Sequence, residues 1–74
     1  MPISVVIQLT SNISHTLQVE EWDSILFLKL CISVIINIPV ERMLLICDGV
    51  KLNSRYTIKD YNLCDGDIIN LINI

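Results

Sequence analysis

The stretch Thr57-Ile58-Lys59-Asp60-Tyr61-Asn62-Leu63 decides how this chain folds. Its first five residues read as a short helical turn, set between two regions rich in strand formers. On the upstream side, Met43 to Cys47 is a short apolar strand, Asp48-Gly49 a turn, and Val50 to Leu52 a brief edge strand. On the downstream side, Asp65-Gly66 is a second turn and Asp67 to Ile74 supplies a final strand. Tyr61, taken on its own, reads as a partly buried loop tyrosine.

Further out, the amino-terminal half completes the pattern. Ile3 to Leu9 is β-branched and apolar, Thr10-Ser11-Asn12 is turn material, and Ser14 to Val19 alternates as a return strand. A β-hairpin with a loop of several residues follows from this. Asp23-Ser24 is a helix-start signal with Ser24 as N-cap, and Ile25 to Ile36 forms a helix of about three turns. Asn37 suits a left-handed cap, and Pro39 prevents continuation. Propensity alone leaves the second half of this helix ambiguous, because Ile32, Val34, Ile35 and Ile36 are β-branched. The order β-β-α-β-β-β, with one helix against a mixed sheet, is an α+β roll in a single domain spanning 1–74.

Composition narrows the function classes. Seventy-four residues make one small domain, without room for a deep catalytic cleft beside a core. Hydrophobic residues are 53% and charged residues 18%, which excludes disorder. The mean hydropathy of +0.62 is high for so small a domain, and implies that a partner covers some apolar surface. The net charge is −3, and the basic residues Lys29, Arg42, Lys51, Arg55 and Lys59 form no cluster, which argues against nucleic acid. Cys31, Cys47 and Cys64 lack a CxxC spacing, so they read as reduced thiols and not as a disulfide frame or zinc site. The amino terminus has no signal-peptide pattern, and neither end carries a lipidation motif, so an intracellular site in the cytoplasm or nucleus is expected. Ser24 to Val40 is apolar but shorter than the ~20 residues of a membrane span, and Lys29 inside it costs about 3 kcal/mol on insertion scales.

Chemistry finds little support. His15 is the single histidine, and a Cys–His pair with Cys47 or Cys64 is a weaker reading than buried inert thiols. Asp65-Gly66-Asp67 is too short for a calcium loop, and no phosphate-binding Gly-rich loop is present. No catalytic residue, metal or cofactor is expected, and the chain reads as a non-enzyme.

The ordered set Met1-x-Ile3-x-Val5, Leu17-x-Val19, Ile25-x-x-Leu28-Lys29-x-x-Ile32, Ile38-Pro39, Leu44-Leu45-Ile46 and Gly49 resembles the ubiquitin family over essentially the whole chain. Its most specific part is Thr57 to Leu63, close to the family's TLSDYNI stretch. The resemblance implies a ubiquitin-like β-grasp, with the Tyr61 hydroxyl hydrogen-bonded to nearby backbone. It also implies a hairpin loop two residues longer than ubiquitin's.

Departures from the family bear on function. No Gly follows Gly66, so the family's diglycine tail is missing from the sequence as given and covalent conjugation is not expected. The positions of two chain-building lysines hold Val50 and Asp65, while Lys51 is expected on the other side of its strand and Lys29 to be structural. The resemblance places a recognition face on the sheet at Val6, Leu44, Ile46, Val50, Ile68, Asn70 and Ile72, more apolar and less basic than the family's. On the helix, about 100° per residue puts Ile25, Leu28, Ile32 and Ile36 on one stripe toward the sheet. Leu26, Phe27, Leu30, Cys31 and Val34 fall opposite, broken by Lys29 and Ser33 on one flank only. Five such side chains expose on the order of 500 Å². Covering them releases on the order of 12 kcal/mol before association costs.

Two functions stand side by side. One is a stably docked, non-conjugated protein-interaction subunit or domain, contacting its partner through the helix face, the sheet face or both, or self-associating. The other is a divergent modifier, or the head of a fusion such as a ribosomal-protein fusion.

Overall fold

The computed structural model describes residues 2–10 and 12–74. The expected turn at Thr10-Ser11-Asn12 includes Ser11, and the resemblance begins at Met1; both lie outside the described residues. Five strands, β1 (Ile3–Thr10), β2 (Ile13–Val19), β3 (Met43–Cys47), β4 (Val50–Lys51) and β5 (Ile68–Asn73), form one sheet in the order β2-β1-β5-β3-β4. β1 and β5 are parallel and the other pairs antiparallel, so the sheet is mixed. The helix α1 (Ile25–Ile36) closes one side of it. The roll expected from the sequence is the fold.

Local chemistry explains the boundaries. Ser24 is extended, and its Oγ accepts a hydrogen bond from the Phe27 N–H at 3.0 Å, the N-cap anticipated above. The N–H groups of Ile25 and Leu26, which have no helical acceptor, donate to the carbonyls of Tyr56 and Ser54. At the other end Asn37 adopts φ 60 and its N–H returns to the Ser33 carbonyl. Beyond Pro39 the chain makes a 3₁₀ turn at Val40–Arg42 that the sequence reading did not include. Three residues are too few for a periodic signal.

The Thr57–Leu63 stretch closes on itself. The Thr57 N–H donates to Asp60 Oδ2, and the Asp60 N–H donates back to Thr57 Oγ1. A 3₁₀ turn at Lys59–Tyr61 follows, ended by Asn62 at φ 53. The Tyr61 hydroxyl accepts from the Asn53 N–H at 2.7 Å, as expected. Asp23 and Glu21 carbonyls receive the N–H groups of Ile58 and Lys59, which ties this turn to the start of the helix.

The core follows the two periodicities. Val5, Ile7, Val19, Met43, Leu45, Cys47, Ile69 and Leu71 point from alternate strand positions toward Ile25, Leu28 and Ile32 of the helix, with Leu52 and Ile58 closing the ends. Ile36 is only partly buried, because α1 ends beside it. In the first hairpin Thr10 pairs with Ile13, and the register shifts between Gln8 and Thr10.

Candidate protein-docking faces

Two apolar faces remain open. The first is the outer arc of α1. Leu26, Phe27, Leu30 and Val34 are exposed, Leu30 at 50% and Val34 at 87%, whereas Ile25 and Leu28 on the inner side are at 0%. Cys31 is partly covered, so it borders the arc instead of lying fully within it. Ile35, which belongs to neither stripe expected from the helical wheel, is exposed as well. Its signal was available: Ile35 lies four residues beyond Cys31 and eight beyond Phe27, on the same ridge. The arc therefore consists of two i±4 ridges, Leu26–Leu30–Val34 and Phe27–Cys31–Ile35, with no charge on either.

The second face is the side of the sheet away from α1. Register places Val6 beside Ile68, Leu44 beside Ile72, and Gln8, Asn70 and Ile46 in one row. Ile68 is 54% exposed and Ile72 nearly as open, but Val6, Leu44 and Ile46 are half-buried by their neighbours. The row through Asn70 is polar at Gln8 and interrupts the apolar surface between the other two rungs.

One expectation on this face is corrected. Asp48 and Gly49 have φ 52 and 77, the two positive values of a two-residue hairpin turn. Cys47 and Val50 are then a facing pair, and Ile46 faces Lys51. Cross-strand partners share a side, and Cys47 is buried. Val50, still 50% exposed, consequently turns from the outer face to the rim of a recess of about 140 Å³ with Cys47, Leu52, Tyr61 and Leu63. Lys51 takes the outer position beside Ile46.

Burial pushes the Cys47 thiol up, helped by the carboxylates of Asp48 and Asp67, so it is a poor nucleophile. His15 faces Ile7 across the first hairpin and sits in an apolar seam with Leu17, Ile32, Ile35 and Ile36. Cys31, Cys47 and Cys64 are free. Among the described residues no cluster of His, Cys, Asp or Glu has the arrangement of a metal site. The Asp65 carboxylate serves the backbone, since its Oδ1 accepts the Ser4 N–H at 2.6 Å, where β1 and β5 begin to pair. Among the described residues no helix is long and apolar enough to cross a membrane.

The sequence model of the ubiquitin family matches residues 5–73, nearly the whole chain. The chain belongs to the ubiquitin family. Comparison with curated proteins finds no match. Among solved structures, the chain is similar to the ubiquitin-like domain of an Arabidopsis thaliana protein determined by solution NMR. The TM-score is 0.90 at 22% identity, over 97% of this chain and 77% of that one. At that identity the likeness shows the fold alone. A shared fold does not fix a function, so function must be argued from the surface of this chain.

Proposed function

We propose that this ubiquitin-like chain is a non-enzymatic docking module, held noncovalently in a larger assembly by a partner that covers the outer arc of α1. The observation that carries this reading is the arc itself: six consecutive wheel positions with no charged side chain, five of them large exposed hydrophobics. A helix that is apolar all round is ordinarily buried on every side. The sheet face is the second contact, weaker per residue because its side chains already shield one another. Covalent chain building has little support from the residues at the relevant positions. Val50 lines a recess, the Asp65 carboxylate holds a strand start, and the Lys29 ammonium donates to Ser54.

Paired substitutions test the proposal. The wild-type chain is expected to self-associate or to require a partner for solubility, by sedimentation and light scattering. Phe27→Lys with Leu30→Glu is expected to give a soluble monomer that no longer captures the wild-type partner set. Val6→Lys with Ile72→Glu is expected to weaken capture less. A wild-type chain that stays monomeric at high concentration, with capture indifferent to the helix pair, overturns the reading.

A further inference from the structure

Between the flank of α1 and the β4 edge lies an open recess of about 410 Å³, lined by Lys29, Met43, Leu44, Lys51, Leu52, Asn53, Ser54 and Ile74. Its chemistry is unbalanced. The chain has eight acidic residues against five basic ones, yet of the side chains that line this recess two are basic and none is acidic. Lys29 Nζ donates at 2.8 Å to Ser54 Oγ, a neutral hydroxyl. Burial, and to a lesser degree the like charge of Lys51, hold the ammonium below its ordinary value. A partly desolvated cation beside a like charge is costly unless a counter-charge arrives from outside.

We propose that this recess receives a carboxylate, the Asp or Glu side chain of the docked protein, between Lys29, Lys51 and the Ser54 hydroxyl. The volume admits a carboxylate with its methylene groups, and Met43, Leu44, Leu52 and Ile74 offer apolar contact to those methylenes. Position supports a protein source. Leu44 and Lys51 belong to the outer side of the sheet, so the recess opens at the margin of that face. A partner lying on the sheet face reaches it, and two ammonium groups with a hydroxyl select an acidic side chain over an amide. The inference rests on the docking reading and adds the partner's chemistry to it: an apolar surface carrying an acidic residue at its margin.

The test is a titration of the isolated chain with blocked glutamate at constant ionic strength, followed by NMR of the lysine side chains and by thermal melting. Blocked glutamine and inorganic phosphate serve as separate arms. Glutamate is expected to move the signals of Lys29, Lys51 and Ser54 and to leave Lys59 unmoved. Lys51→Glu supplies the counter-charge internally, so it is expected to raise the melting temperature and weaken the glutamate response about tenfold. Ser54→Asp acts likewise on the atom that Lys29 already touches. Equal shifts at Lys59, an equal response to glutamine, or a response to phosphate alone overturns the proposal. So does a Lys51→Glu chain that responds like wild type. Repeating the titration on Phe27→Lys with Leu30→Glu separates the two readings, since that pair leaves the recess lining intact. A retained response with no loss of docking overturns the helix face, and a missing response in both chains overturns the recess.

Discussion

On the outer side of the sheet, Val6, Leu44 and Ile46 are half-buried although, among the described residues, no element lies over them; on the outer side of α1, Leu26, Phe27, Leu30 and Val34 stand exposed. The residue types are alike, so geometry makes the difference. Facing side chains on neighbouring strands lie about 4.5–5.5 Å apart and shield each other across a rung. Side chains on a helix splay from a convex cylinder, and each turn leaves its tips in water. The helix therefore has more apolar area to gain from a partner, and the sheet has more to lose from a charge. That contrast ranks the two faces as proposed docking surfaces.

The largest expected effect separates the two sides of α1. Leu28→Ala or Ile32→Ala should each cost about 3 kcal/mol, a large share of the stability of so small a domain. Leu30→Ala should stay within about 0.5 kcal/mol, and chemical denaturation measures all three. If Leu30→Ala destabilised like Leu28→Ala, the outer arc would be core and not interface.

Next in size is Tyr61→Phe, which leaves the Asn53 N–H without its acceptor and should cost about 1.5 kcal/mol in urea unfolding. It touches neither face, so association measured by sedimentation should not change. Ser24→Ala removes the cap of α1 and should cost about 1 kcal/mol, with faster amide exchange at Phe27. Fraying of the first turn would also loosen Leu26 and Phe27, and so weaken docking through the helix but not through the sheet.

The direct comparison of faces should give a smaller stability difference. Val6→Lys with Ile72→Glu is expected to lower thermal stability by about 1 kcal/mol, because Val6 is half-buried. Phe27→Lys with Leu30→Glu should change it by less than about 0.5 kcal/mol. The reverse order would break the shielding argument.

The smallest effect is in alkaline solution. Lys29 has a folded value below its ordinary 10.5, so in the window ending there the unfolded chain binds the extra proton and stability rises with pH. Cys47 has a folded value above its ordinary 9.0, so its contribution is complete below 9.0 and is lost as pH rises through the folded value. The two slopes oppose each other. Denaturation midpoints across this range should show the rise disappearing in Lys29→Met and the fall disappearing in Cys47→Ala.

Short-range chemistry was legible in the sequence. Ser24, Asn37 and Pro39 bound the helix within a few residues of themselves, and the i, i+3, i+7 spacing of Ile25, Leu28 and Ile32 selected the buried side. The Thr57–Leu63 turn was likewise legible, since Thr57 and Asp60 satisfy each other's backbone. The outer arc was mostly legible by the same periodicity, with Ile35 omitted and Cys31 more covered than a wheel suggests. The sides of Val50 and Lys51 were also within reach of the sequence. A two-residue turn at Asp48-Gly49 makes Cys47 and Val50 partners, and counting from the apolar Leu45 and Cys47 fixes the rest.

Tertiary structure alone decided what depends on groups distant in the chain. The parallel pairing of β1 with β5 sets Val6 beside Ile68, and no local signal encodes that register. The meeting of Lys29, Lys51 and Ser54 is of the same kind, because it requires the helix flank and the β4 edge to be brought together. The sequence by itself determined the elements and the side of each that is buried, through interactions a few residues long. Which exposed side chains shield one another, and which charges stand unbalanced, was settled only when the sheet closed on the helix.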